Sequence, residues 1–143
     1  MTMSNDSVEK LIESIGVSII SSVDEYGFPN TKAMLPPRKR DGLRNFYFTT
    51  NTSSMRVMQY RKNKKACIYF FDKRYFRGVM MLGTMEVLTD QKTKERIWRD
   101  GDTMYYSLGV TDPDYCVLKF TACKMRTYQN FKSETIDISS YAA

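Results

Sequence analysis

The stretch Phe46-Tyr-Phe-Thr-Thr-Asn-Thr-Ser-Ser-Met-Arg-Val57 carries most of the structural information in this chain. Phe46 and Phe48 alternate with Tyr47 and Thr49, the period of a strand with one buried face. Hydroxyl-rich residues follow, and residues 54–61 then read as a helix with Arg56 in its first turn. A cation there opposes the helix macrodipole at a cost of about 0.3–1 kcal/mol. Two readings account for it. In one, an anion sits at the helix end, where free backbone N–H groups, the hydroxyls of Thr50 and Ser54 and the Arg56 guanidinium converge on a phosphate. In the other, Thr52 or Ser53 caps an ordinary surface helix and Arg56 points into water.

The charge pattern favours an anionic partner. Residues 26–71 hold ten Lys or Arg and one acid, Asp41, a net +9, whereas the whole chain carries +6. Such asymmetry suits a nucleotide, a phosphate or nucleic acid. Within this region Arg38-Lys39-Arg40 stands beside Asp41-Gly42 and reads as a solvated hairpin connection, unlike Lys32 and Arg56.

Outward from this centre, residues 6–15 place Val8, Leu11, Ile12 and Ile15 at helical spacing, with Ser4 or Asp6 as N-cap. Strands are expected over 17–23 and 30–35, separated by the turn at Gly27 and Pro29 and stopped by Pro36-Pro37. Further strands are expected over 65–71 and 77–88, the latter with a bulge or close approach at Gly83. Residues 90–98 read as a helix and 104–108 as a helical turn. Residues 115–121 and 124–131 read as a closing strand pair.

The length, 143 residues, predicts a single domain, 1–143, able to bury about 68–70% of its unfolded surface. The order of short elements predicts a mainly β fold, a six- to seven-stranded antiparallel barrel of Greek-key type with short peripheral helices. No Gly-rich dinucleotide or P-loop motif occurs. The absence of a basic, apolar N-terminal leader predicts a cytoplasmic protein. With no histidine in the sequence, Cys–His metal sets and His-based catalytic pairs are excluded, and no metal site is expected. Cys67, Cys116 and Cys123 read as buried reduced thiols.

Five pieces in this order resemble the pyridoxamine 5′-phosphate oxidase-like FMN-binding split-barrel family, and within it the general-stress-protein group. They are Asn30-Thr-Lys-Ala-Met-Leu35, residues 46–56, Arg77-Gly-Val-Met-Met-Leu-Gly-Thr-Met-Glu86, Arg96-Ile-Trp-Arg99 and Gly109-Val-Thr-Asp-Pro-Asp-Tyr-Cys-Val-Leu118. The resemblance spans roughly residues 8–130 and implies a split barrel holding FMN at a homodimer interface. It assigns a basic residue, Lys32, to the start of the flavin strand, and Ala33, Met34 and Leu35 to the run along the ring. The family's Thr-x-x-x-Ser-x-Lys phosphate cradle falls on Thr50, Ser54 and Arg56, flanked by Thr49 and Met55. Arginine in place of lysine exchanges a point charge for a planar fork of donors.

The same resemblance implies a changed substrate site. True oxidases of the family use a lysine soon after the flavin strand and an Arg-x-His pair. Here the strand runs into Pro36-Pro37 and histidine is absent; the oxidase's flavin-side glutamine falls on Gly78. Tyr105 and Tyr106, with Trp98 from a partner subunit, are the substrate-side candidates. The expectation is therefore an FMN flavoprotein, a small oxidoreductase or stress-related flavin-binding protein with an unidentified redox substrate. Two alternatives compete with it. One is a nucleic-acid-binding barrel stacking bases on Phe46, Tyr47, Phe48, Tyr60 and Tyr69; the other is a split barrel binding deazaflavin or haem.

Overall fold

The computed structural model describes residues 3–141. Its elements, in chain order, are α1 (Asn5–Ser14), β1 (Ser18–Val23), β2 (Pro29–Met34), β3 (Lys39–Asp41), β4 (Asn45–Asn51), α2 (Met55–Lys62), β5 (Lys65–Asp72), β6 (Arg77–Leu88), α3 (Gln91–Ile97), β7 (Tyr115–Gln129) and β8 (Lys132–Asp137). Two 3₁₀ turns, Asp102–Met104 and Gly109–Thr111, lie between α3 and β7. All strand pairs are antiparallel, in the order β2-β1-β5-β6-β7-β4-β3, with β8 added to β7. The expected mainly antiparallel barrel is thus present, with eight strands among the described residues.

Alternation builds the core. Ile20, Phe46, Phe48, Ile68, Phe70, Val79, Met81, Met85, Leu118, Phe120 and Met125 all point inward, and α1 contributes Val8, Leu11 and Ile12. Ser4 caps α1 by accepting the Ser7 N–H at 3.1 Å. The opposite face of β4 and β7 is also covered: Tyr47, Tyr115 and Val117 pack with Ile97 and Tyr106. Strand β4 is therefore buried on both sides, which removes Phe46, Tyr47 and Phe48 from any base-stacking surface. Tyr60 is buried as well, and Tyr69 is half-buried.

The closing strand pair expected over 115–131 is instead one bent strand. The β6–β7 register slips between Leu82 and Gly83, so that Leu82 faces Lys124 and Gly83 faces Ala122, with Cys123 as the extra residue of a bulge. A bulge bends and twists its strand, and β7 pairs with β4 before it and with β8 after it. Any Cβ on Gly83 would run into the Thr121 carbonyl oxygen, so glycine permits this approach. The hairpin to β8 turns on Asn130 and Phe131, with φ of 51° and 64°, a turn made without the usual glycine. Cys123, at the bulge, is exposed and Cys67 half-buried, correcting the expectation that all three thiols are buried; only Cys116 is.

In the Arg38–Arg40 cluster only Lys39 is exposed as expected; the two arginines are not solvated. Arg38 forms a two-pronged ion pair with Asp102, both bonds 2.7 Å, with side chains only 8% and 5% exposed. Arg40, on β3, reaches Glu9 and Glu13 of α1. These partners lie dozens of residues away in sequence, so no local pattern announces them. No described helix is long and apolar enough to cross a membrane.

Candidate functional site

Strands β2 and β4 stand near opposite ends of the sheet order and share no ladder. The gap between them is a cleft of about 210 Å³. One wall is Lys32, Ala33 and Met34 from β2 with Leu35 just after it, and the other is Thr49, Thr50 and Arg56 from β4 and α2. Tyr105 and Tyr106 line the cleft too, with Arg38. Seven of the nine residues singled out from the sequence as a cofactor set thus face one cavity, although they come from segments that are not neighbours in the sheet.

The other two lie beside it. Ser54 is the N-cap of α2: its hydroxyl oxygen accepts the Val57 N–H at 3.4 Å. That role belongs to neither Thr52 nor Ser53, the capping residues considered from sequence. Thr52 instead donates its hydroxyl to the Pro113 carbonyl at 3.1 Å, and the Ser53 N–H goes to an Asp114 carboxylate oxygen at 2.8 Å. Met55, 65% exposed, lines an adjoining basin between β2 and α2.

Arg56 does not simply point into water. It is half-buried, and its Nε is shielded from solvent with no hydrogen-bond partner among the described residues. A buried donor left unpaired costs about 1–3 kcal/mol, more when charged. No acid occupies the first turn of α2. The donor set at this end of the cleft, Arg56 and Lys32 with the Thr50 hydroxyl, is that of an anion site, and it fits a phosphate.

Sequence reasoning missed the groups that hold the cleft's walls. Asp102 anchors Arg38 and accepts the Arg99 N–H at 2.9 Å, tying down the segment that carries Tyr105 and Tyr106. Burial alone would raise the Asp102 pKa; the Arg38 fork and the Arg99 N–H overcome it and leave it lowered. Asp114 does the same for the loop before α2, accepting from the Ser53 N–H and from Asn51 Nδ2, both at 2.8 Å. Those bonds, the Ser53 backbone first, lower its pKa. Tyr106 is buried, which raises its phenol pKa, while Tyr105 is half exposed. Trp98 packs within its own chain, its ring 5.2 Å from Tyr115 and 6.1 Å from Tyr106.

A split antiparallel barrel with a cationic cleft between its unjoined strands is the class this molecule defines. The family model for pyridoxamine 5′-phosphate oxidase matches residues 4–129, and the chain belongs to that family. The pyridoxine/pyridoxamine 5′-phosphate oxidase of Legionella pneumophila is 31% identical over 75 residues, 52% of this chain but 34% of that protein. The match therefore spans about a third of the curated relative's length.

Among solved structures, a Clostridium acetobutylicum protein related to general stress protein 26 of B. subtilis is 40% identical. It superposes with a TM-score of 0.87 over 96% of this chain and 99% of the other. A pyridoxamine 5′-phosphate oxidase-related, FMN-binding protein from Nostoc punctiforme shares the fold at 12% identity, with a TM-score of 0.74 over 97% and 100% of the two chains.

Proposed function

We propose that this chain is an FMN-binding flavoprotein of the general-stress-protein type, a small cytoplasmic oxidoreductase working as a homodimer. The observation that carries the reading is the shielded Arg56 Nε, unpartnered among the described residues, in a cleft that also holds Lys32. Family membership supports the choice of a flavin as the anion's carrier.

On this reading Lys32 and Arg56 offset the phosphate, which carries about −1.5 to −2 charge near neutral pH. The Thr50 hydroxyl adds a donor. Ser54 adds another, because its oxygen accepts from Val57 while its O–H remains free to donate. Ala33, Met34 and Leu35 flank the ring system through the backbone of β2 and the residue after it; β2 is an edge strand with no second ladder among the described residues. FMN, when bound, supplies hydride or electron transfer, so the chain need not provide an acid or base for it. Tyr105 and Tyr106 form the substrate-side wall.

The exposed apolar residues Leu35, Met104 and Tyr105 at the lip of the cleft suit coverage by a second subunit. Pyridoxamine phosphate oxidation is not part of the proposal, since the histidine-bearing substrate pair of that reaction has no counterpart in these 143 residues.

The test is direct. The purified protein should be yellow or take up FMN in a fluorescence titration, and heat should release a compound with the spectrum and chromatographic mobility of FMN. Light scattering should give twice the 16.7 kDa chain mass. A colourless protein that binds no added FMN would end this reading.

A further inference from the structure

Away from the cleft, two hairpins end side by side. Gly78 of β6 faces Tyr128 of β7, so the β5–β6 turn, residues 73–76, neighbours the β7–β8 turn at Asn130 and Phe131. Phe76 joins the two, its ring 6.2 Å from Tyr128 and 5.1 Å from Phe71. None of these residues lines the cleft, its lip or the adjoining basin.

Aromatic side chains crowd these apices. Phe131 is 95% exposed, Phe76 64% and Tyr75 60%. Phe76, Asn130 and Phe131 are the only non-glycine residues with positive φ among the described residues, at 51°, 51° and 64°. Bulky side chains rarely occupy that region, and backbone of this kind gathers at functional surfaces.

Cations surround the rings. Residues 72–77 and 128–132 hold Lys73, Arg74, Arg77 and Lys132 against one acid, Asp72, a net +3. Asp72 is already taken, since Arg77 Nε and Nη2 donate to its Oδ2 at 3.0 and 2.7 Å. The Arg74 and Arg77 guanidiniums each lie 5.1 Å from the Tyr75 ring centre and hold that ring in place. Lys73, Arg74 and Lys132 are exposed and make no ion pair among the described residues.

We propose that the two hairpin tips dock this protein on an anionic membrane surface, the rings dipping between headgroups while the cations meet lipid phosphates and carboxylates. This docking is independent of the flavin reading. Exposed rings gain by leaving water only against an apolar neighbour, and the net positive charge selects one with an anionic surface. Turn apices suit a planar surface, whereas a nucleic-acid strand follows a charged groove. Ring insertion and charge attraction supply together the two signals that membrane attachment takes.

The experiment sediments the full chain with vesicles of phosphatidylcholine containing about one-third phosphatidylserine, and with phosphatidylcholine alone, at low and high salt. Wild type should sediment with the anionic vesicles at low salt and little with the neutral ones. Each cation near an anionic surface is worth about fivefold in partitioning, so Lys73→Ala/Lys132→Ala should bind about 25-fold more weakly. Phe131→Gly should lose at least about fivefold. Glycine is at ease at a φ of 64°, so that variant's melting temperature should equal or exceed the wild type's. A protein that stays in solution with both kinds of vesicle, or variants that bind as wild type does, overturns the proposal. So does a single-stranded oligonucleotide bound more tightly than the vesicles through the same residues, which would make the tips a nucleic-acid surface. A halved mass of the variants in light scattering overturns it too, making the tips a contact between copies. Should Phe131→Gly fold poorly, the lysine variant, which alters exposed side chains alone, decides the question by the same measure.

Discussion

Replacing Arg56 by alanine separates a ligand-binding role from a structural one, because the two predict opposite effects on the empty protein. Arg56 sits at the second position of α2, where its charge opposes the macrodipole by about 0.3–1 kcal/mol. Its Nε is a shielded donor without a partner among the described residues, a further cost of about 1–3 kcal/mol. Alanine removes both costs and favours helix, at the loss of whatever packing the arginine stem contributes. The flavin-free Arg56→Ala protein should therefore melt at the wild-type temperature or up to roughly 5 °C above it. The phosphate, in contrast, loses one or more charge-assisted hydrogen bonds worth about 1.5–3 kcal/mol, so the FMN Kd should rise about 10- to 150-fold. Arg56→Lys restores the charge without the fork and should lose less than tenfold. Fluorescence titration and thermal melting of the apo-protein read the two quantities separately. An FMN affinity within twofold of wild type, together with a Tm lowered by more than about 3 °C, would show that Arg56 braces the fold and that the phosphate binds elsewhere.

The Arg38–Asp102 pair gives a second test. Removing one partner of a buried pair costs about 3–5 kcal/mol, and because this pair borders the open cleft we take the lower end, about 3 kcal/mol, for Asp102→Ala in urea unfolding. The double variant Arg38→Met/Asp102→Leu should lose less than that single change; a single-variant loss below about 1 kcal/mol would put the pair among ordinary surface contacts. The pair's contribution should also depend on pH with a definite sign. The Asp102 pKa is lowered in the folded state, so its stabilisation is complete above the unfolded value of about 3.9 and is lost as pH falls through the folded value. The stability gap between wild type and Asp102→Ala should be constant from pH 5 to 8 and shrink below about pH 4; a gap of equal size at pH 7 and pH 3 counts against the assignment. Gly83→Ala and Gly78→Ala should differ, since the new Cβ meets the Thr121 backbone at the first and only the movable end of the Tyr69 ring at the second. Gly83→Ala should cost about 1–3 kcal/mol, Gly78→Ala clearly less, and equal costs in denaturant unfolding would refute the close-approach explanation.

Local chemistry wrote much of this molecule into the sequence. The alternation through Phe46 and Phe48, the apolar stripe of Val8, Leu11 and Ile12, and the turn at Gly27 each depend on neighbours within a few residues, and each is legible there. So is the cation in the first turn of α2, because a macrodipole is a property of one helix. Three other features are not, and all depend on distant partners. Arg38 became a buried ion pair because Asp102 lies 64 residues on. Residues 115–129 became one strand because β4 and β8 share its edge on either side of the Cys123 bulge. The loop before α2 acquired its shape from Asp114, 61 residues beyond Ser53. The β-rich barrel, and Lys32 and Arg56 as cations in want of an anion, are legible in the chain of residues alone. That the two face one cleft depends on which strands of the barrel fail to pair, and no local pattern carries that information.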